Sequence, residues 1–170
     1  MPSNVEIKAR VANARQFAER AEQLSGGPPQ RLQQHDSFYA AARGRLKLRR
    51  FADGNAELIF YQRSDADGPK VSDYARLSVA DPSAMHALLD AALGCTGTVK
   101  KNRRVWLVGR TRVHLDEVEG LGTYMELEVV MRDGEPATDG EAEARALMSD
   151  LGVEESSLVA GAYVDLLARG

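Results

Sequence analysis

The 170 residues are 44% hydrophobic and 28% charged, which suits one soluble domain that buries a core without covalent staples. The single cysteine, Cys95, excludes an intramolecular disulfide, and no apolar run approaches the roughly 20 residues of a bilayer span. The net charge of −3 argues against a nucleic-acid partner, and no basic segment followed by an apolar run opens the chain, so no signal peptide, no membrane partner and a cytoplasmic location are expected.

The segment NVEIKARV, residues 4–11, alternates Val5, Ile7, Ala9 and Val11 with Asn4, Glu6, Lys8 and Arg10. That is the period of a strand. Read alone, its polar side is more readily a solvated salt-bridge face than half of a site. Residues 13–24 carry helix formers, an apolar stripe of Phe17, Ala21 and Leu24, and Asn13 as N-cap. The Gly26-Gly27-Pro28-Pro29 run is a loop and not a domain boundary.

Residues 35–40 read as a short strand. Residues 44–51 and 56–63 read as a hairpin turned by Asp53, Gly54 and Asn55. Residues 70–79 alternate again. Asp81 and Pro82 open a helix that runs to Leu93. Strands are expected over 99–108 and 111–117, meeting near Gly109, and over 124–130. Helices are expected over about 139–150 and 157–167. No repeat or linker divides the chain, so residues 1–170 form one domain in this reading.

About eight strands joined mostly by short turns make an antiparallel sheet, and eight such strands can close. Four strands pair an apolar face with a charged one. Arg45, Lys47 and Arg49 stand opposite Leu46 and Leu48. Arg112, His114 and Asp116 stand opposite Val113 and Leu115. Glu126 and Glu128 stand opposite Met125, Leu127 and Val129, and Glu6 and Lys8 share a face of the first strand. The charged faces look either at water, as in a sandwich, or into the lumen of a barrel whose apolar outside is covered by helices. Several amphipathic helices need that apolar surface, so an α+β closed eight-stranded antiparallel barrel with helices packed outside is expected. Lysines and arginines crowded in a wet lumen suit a polyanion, and carboxylates there suit a divalent cation shared with phosphate oxygens.

The segments NVEIKARV, HDSFY, GRLKLR, KNRRVWLVG, TRVHLDEVEGLG and MELEVV, in that order, resemble the CYTH family, the triphosphate tunnel metalloenzymes, and within it the class IV adenylyl cyclase-like branch. The resemblance runs from residue 4 to about 130, with a familiar AYVDLL tail. It implies a tunnel that takes a small-molecule triphosphate (ATP, inorganic triphosphate or thiamine triphosphate) with Mg²⁺ or Mn²⁺. It assigns Glu6 and Lys8 to catalysis and Glu6, Asp116, Glu126 and Glu128 to the metal. It assigns Lys47, Arg49, Lys101, Arg103 and Arg112 to the substrate, with Arg63 and Lys70 as candidates for a further lysine of the family. Arg49 and Arg103 stand unpaired in that reading, so their removal should not cost stability.

Asn4 stands where the family's opening signature carries its first Glu, which removes one negative charge. Water attacking the terminal phosphate would make the protein a triphosphatase. A ribose hydroxyl attacking the α-phosphate would make it a cyclase. The alternative is a non-catalytic binder of triphosphate, nucleotide or polyphosphate, and a homodimer is left open. His114 shares the lumen face. Cys95 and Trp106 are expected outside the site. No phosphate loop and no zinc spacing of Cys and His is present.

Overall fold

The computed structural model describes residues 1–64 and 68–170. Eight strands form the sheet: β1 (Ser3–Arg10), β2 (Gln30–Tyr39), β3 (Arg45–Phe51), β4 (Ala56–Arg63), β5 (Lys70–Ser78), β6 (Cys95–Val108), β7 (Thr111–Val118) and β8 (Gly122–Val130). They close in the order β1-β5-β4-β3-β2-β6-β7-β8. Every neighbouring pair is antiparallel. Four helices follow the chain at α1 (Ala14–Ser25), α2 (Pro82–Leu93), α3 (Ala137–Asp150) and α4 (Tyr163–Arg169). The closed barrel with outer helices is the expected architecture.

The first two helices start at their expected caps. Asn13 accepts from the Gln16 amide at 3.0 Å, and Asp81 accepts from the Ala84 amide at 3.0 Å. Three boundaries differ from expectation. β2 begins at Gln30, not 35, and β6 at Cys95, not 99. Leu32 is the one large apolar residue of 30–34 and none falls in 95–98, so no apolar period marks either extension. They are held by the ladder between the two strands, which runs from Gln30 opposite Val105 to Tyr39 opposite Cys95. The helix expected over 157–167 is a short 3₁₀ turn (Glu155–Ser157), an extended stretch, and α4. Lys70 opposite Glu6 is the last pairing of β5 with β1. Beyond it the edge of β1 is taken by the extended stretch, where Val159 donates to the Lys8 carbonyl at 3.0 Å.

The main core lies outside the barrel. Val5, Ile7, Ala9, Val113, Leu115, Met125, Leu127 and Val129 are each at most 1% exposed and pack with Trp106 beneath α1 and α3. A Cβ on Gly140 of α3 would stand 2.8 Å from a Val5 methyl, so the missing side chain is what lets α3 approach β1. A second cluster, including Leu48 and Val79, lies under Met85 and Leu89 of α2. A third closes one end of the barrel: Phe38, Tyr61, Val99, Val118 and Tyr124 meet Val159 and Tyr163 of the C-terminal segment. Among the described residues, no helix is long and apolar enough to cross a membrane.

If the core is outside, truncating an outward residue must cost as much as in an ordinary protein interior. Leu127→Ala should lower the unfolding free energy by about 2–5 kcal/mol. Leu77→Ala, at a residue 63% exposed, should change it by under about 0.5 kcal/mol. Urea denaturation of both variants checks this. Equal effects would mean that the outer faces do not carry the fold.

Candidate active site

The alternation that turns apolar residues outward delivers the other face of each strand to a common lumen, a cavity of about 360 Å³. Register decides which charges meet. Glu6 of β1 lies opposite Glu128 of β8, which lies opposite Arg112 of β7. Two residues along, Lys8 lies opposite Glu126, which lies opposite His114. Directly opposed residues share a face and interact, so these rows form one wall.

On that wall, His114, Glu126 and Glu128 each offer an atom within 4.8 Å of the others. His114 is buried, and its Nδ1 has no hydrogen-bond partner among the described residues. Burial and the nearby Arg103 lower its pKa to about 4, so the imidazole is neutral with a lone pair to give. Burial raises the Glu6 carboxyl, and Glu128 and Glu126 raise it further against the pull of Arg63. Burial also works against the charge of Glu126, but Lys8 and Arg103 hold it well below the usual carboxylate range. Arg63 donates to Glu6 at 2.8 Å, and Arg112 donates to Glu128 at 2.9 Å. Lys8 donates to the Gly161 carbonyl at 2.9 Å and stands 3.7 Å from Glu126.

The opposite wall, from β2, β3 and β6, is cationic. Arg49 forks onto Asp36 at 2.8 and 2.7 Å, and Lys101 and Lys47 approach the same carboxylate at 3.1 and 3.2 Å. Between the walls, Arg103 forks onto Asp116 at 2.7 Å on both arms and reaches within 3.7 Å of Glu126. Asp116 also accepts from the Tyr163 hydroxyl at 2.8 Å.

The CYTH domain pattern matches residues 3–163. The chain belongs to the CYTH family. Solved structures share the fold of this CYTH chain. PH1012 of Pyrococcus horikoshii OT3 is 20% identical with a TM-score of 0.84, over 96% of this chain and 99% of that one. A candidate adenylate cyclase from Vibrio parahaemolyticus is 20% identical with a TM-score of 0.80, over 97% of each chain. The Hippeastrum protein HpAC1, reported to have a dominant triphosphatase activity, is 19% identical with a TM-score of 0.67, over 98% of this chain and 96% of that one. No curated protein matches the sequence significantly.

Within this CYTH barrel, Glu6, Lys8, Lys47, Arg49, Arg63, Lys101, Arg103, Arg112, Glu126 and Glu128 all line the cavity. Asn4 lines it too, 3% exposed, with its side-chain oxygen lacking a hydrogen-bond partner among the described residues. Lys70 is buried opposite Glu6 but is not among the lining residues. The loop between the two lysine candidates, residues 65–67, lies outside the described residues. Asp116 stands apart from the expected metal group. It is wholly buried with both oxygens engaged, and His114 takes the place beside Glu126 and Glu128.

The expectation that Arg49 and Arg103 stand unpaired fails. Each forks onto a buried carboxylate. Removing Arg103 leaves Asp116 without its cation, a loss of about 3–5 kcal/mol for a fully buried pair, and removing Arg49 costs less because Lys47 and Lys101 remain on Asp36. Asp36 and Tyr163 are the residues missed. Asp36 was legible in principle, because it shares the alternation of Gln34 and Phe38 on the inner face of β2. Tyr163 carried no such signal, since it enters the lumen from outside the sheet.

The buried lysines set a pH dependence. Burial lowers Lys101 to about 7 and Lys47 to about 8, against about 10.4 in an unfolded chain. Between about pH 7 and 10 the unfolded chain therefore binds more protons than the folded one, and stability rises with pH across that window. The ligand-free protein should melt at a higher temperature at pH 9 than at pH 7. A lower melting temperature at pH 9 would mean that these lysines stay charged in the lumen.

Proposed function

We propose that the lumen binds a small-molecule triphosphate together with Mg²⁺ or Mn²⁺ and breaks a phosphoanhydride bond in it. The observation that carries this reading is the separation of charge inside one cavity. Lys47, Arg49 and Lys101 gather on one wall, and His114, Glu126 and Glu128 converge on the other. A triphosphate with its cation has the same division of charge.

The residues present fit a divalent cation. Two carboxylates and an imidazole with a free nitrogen converge, the unpartnered amide oxygen of Asn4 lines the same cavity, and the Glu6 carboxyl is raised by burial and by the Glu128 and Glu126 carboxylates, whose charge a cation would offset. Glu126, Glu128 and His114 would hold it, with Glu6 beside them. Oxygen donors suit Mg²⁺, and the imidazole adds affinity for Mn²⁺. When bound, the cation draws charge from the phosphate oxygens and orients them.

The chain's own residues supply the rest. Lys47, Arg49 and Lys101 fix the phosphate oxygens and offset the charge that grows on them in the transition state. Arg103, between the walls, contributes to the same field. Glu6, with its raised carboxyl, orients the attacking hydroxyl or water and takes up its proton. Lys8, at about 8 through burial offset by Glu126, contacts a further oxygen. Water attack on the terminal phosphorus gives phosphate and a diphosphate. Attack by a ribose 3′ hydroxyl on the α-phosphorus gives a cyclic nucleotide and pyrophosphate. The triphosphatase activity reported for the Hippeastrum protein supports the first route, and the candidate cyclase of Vibrio parahaemolyticus supports the second. Asn4, with one negative charge fewer near the cation, favours a second reading, a triphosphate binder without turnover.

Phosphorus NMR with ATP, thiamine triphosphate and inorganic triphosphate, each with Mg²⁺ and with Mn²⁺, separates these. Metal-dependent release of phosphate or pyrophosphate from at least one substrate is expected, with Glu126→Gln and Glu128→Gln each lowering the rate by about 100-fold or more. Binding of all three without turnover would leave the binder. An unchanged rate in both variants would remove this wall from the chemistry.

A further inference from the structure

The cationic wall is organised by one carboxylate. Asp36 is 1% exposed and serves three cations, Arg49 and Lys47 from β3 and Lys101 from β6. Register explains the convergence. Arg49 lies directly opposite Asp36, while Lys47 and Lys101 lie opposite its inward neighbours Phe38 and Gln34. Elsewhere in the lumen, Glu6, Asp116 and Glu128 each have one arginine fork or bond, and Glu126 has two distant cations at 3.7 Å. Positive charge therefore exceeds negative charge at Asp36.

The cations around it keep donors in reserve. A guanidinium has five N–H donors, and Arg49 gives two to Asp36. An ammonium has three, and Lys47 and Lys101 each direct one to it. A carboxylate without such a grip on all three would leave them to repel one another. An arginine cannot shed its proton, but a buried lysine can.

We propose that Asp36 is a positioning residue of the triphosphate grip: it gathers Arg49, Lys47 and Lys101 at one point and favours the charged form of the two lysines, with the remaining donors of all three left for phosphate oxygens. This rests on the reading of the lumen as a triphosphate site. The surroundings of the two lysines agree. Burial lowers both, Arg49 and Arg103 lower them further, and Asp36 is the neighbour that opposes the fall, helped at Lys47 by Glu126 across the lumen. The remaining faces are aromatic: Phe38 and Tyr61 beside Lys47, and Tyr163 beside Lys101. No other described carboxylate touches either ammonium.

Calorimetry of inorganic tripolyphosphate binding, in EDTA and in two buffers of different ionisation enthalpy, tests this through proton uptake. From lysines at about 7 and about 8, the wild type should take up about one proton on binding at pH 7.5. Asp36→Asn should take up about half a proton more and bind about 10-fold more weakly, with the gap closing to under about 3-fold at pH 6, where the lysines recharge. Asp36→Glu keeps the charge but moves it by a methylene. It should keep the wild-type uptake and still bind about 3-fold or more weakly. A purely structural role would not move proton uptake. Binding by Asp36→Asn that is as tight as wild type at pH 7.5 with unchanged uptake overturns the proposal. So does Asp36→Glu binding as tightly as wild type, and that variant decides the matter if Asp36→Asn does not fold. A wild-type protein that binds tripolyphosphate neither in EDTA nor with Mg²⁺ or Mn²⁺ overturns the reading of the lumen itself, whereas wild-type binding with both variants unaffected overturns only the role of Asp36.

Discussion

Turning Glu6, Lys8, Arg49, Lys101, Arg103, Glu126 and Glu128 into one lumen, with Asp116 buried against Arg103, takes eight ionisable groups largely out of bulk water. Each would cost several kcal/mol if it stood alone. The barrel tolerates them because cross-strand register sets opposite signs side by side: Lys8 against Glu126, Arg49 against Asp36, Arg103 against Asp116, Arg112 against Glu128. A one-residue slip in any strand would send its charges into the outer core and its methyl groups into the lumen. The ion pairs and the apolar packing therefore specify the same register.

Other features follow from that arrangement. The core has to lie outside, so α1, α2 and α3 are needed to cover it. One end of the lumen has to be closed without another strand, and the segment from Leu158 to Tyr163 does this. Its backbone pairs with β1, its Gly161 carbonyl takes the Lys8 ammonium, and its Tyr163 hydroxyl reaches Asp116. Pairing is not neutralisation, however. The surplus of positive charge at Asp36 faces a wall where Glu126, Glu128 and Glu6 converge, each with a cation beside it. A lumen polarised in this way is prepared for a ligand with both signs.

Much of this was legible in the sequence, and the reason is periodicity. Strands whose two faces differ, such as Val5 to Val11, Arg45 to Arg49 and Thr111 to Asp116, declare both their conformation and their lumen side. Where the two faces are alike the signal vanishes, which is why the first five residues of β2 and the first four of β6 went unread. The site followed the same rule. Glu6, Lys8, Arg49 and Glu126 were visible because each stands on a charged face opposite an apolar one. The pairing of these charges was not, because it depends on which strands become neighbours on closing. So Asp36 was passed over as part of a short strand, and Arg49 and Arg103 were expected to stand alone. Asp116 looked like a metal ligand from its position on β7. Only the fold brings the Tyr163 hydroxyl and the Arg103 fork onto its oxygens.

The proposed division of the lumen into a cation-binding wall and a phosphate-binding wall can be tested directly. Crystals grown with Mn²⁺ and a non-hydrolysable triphosphate, measured at the manganese absorption edge, would locate the ion by its anomalous signal and the phosphates by their density. The account predicts a manganese peak about 2.0–2.5 Å from Glu126 and Glu128 oxygens and the His114 ring, with phosphate oxygens against Lys47, Arg49 and Lys101. A manganese peak outside the lumen, or a triphosphate bound to the outer face of the barrel, would contradict it.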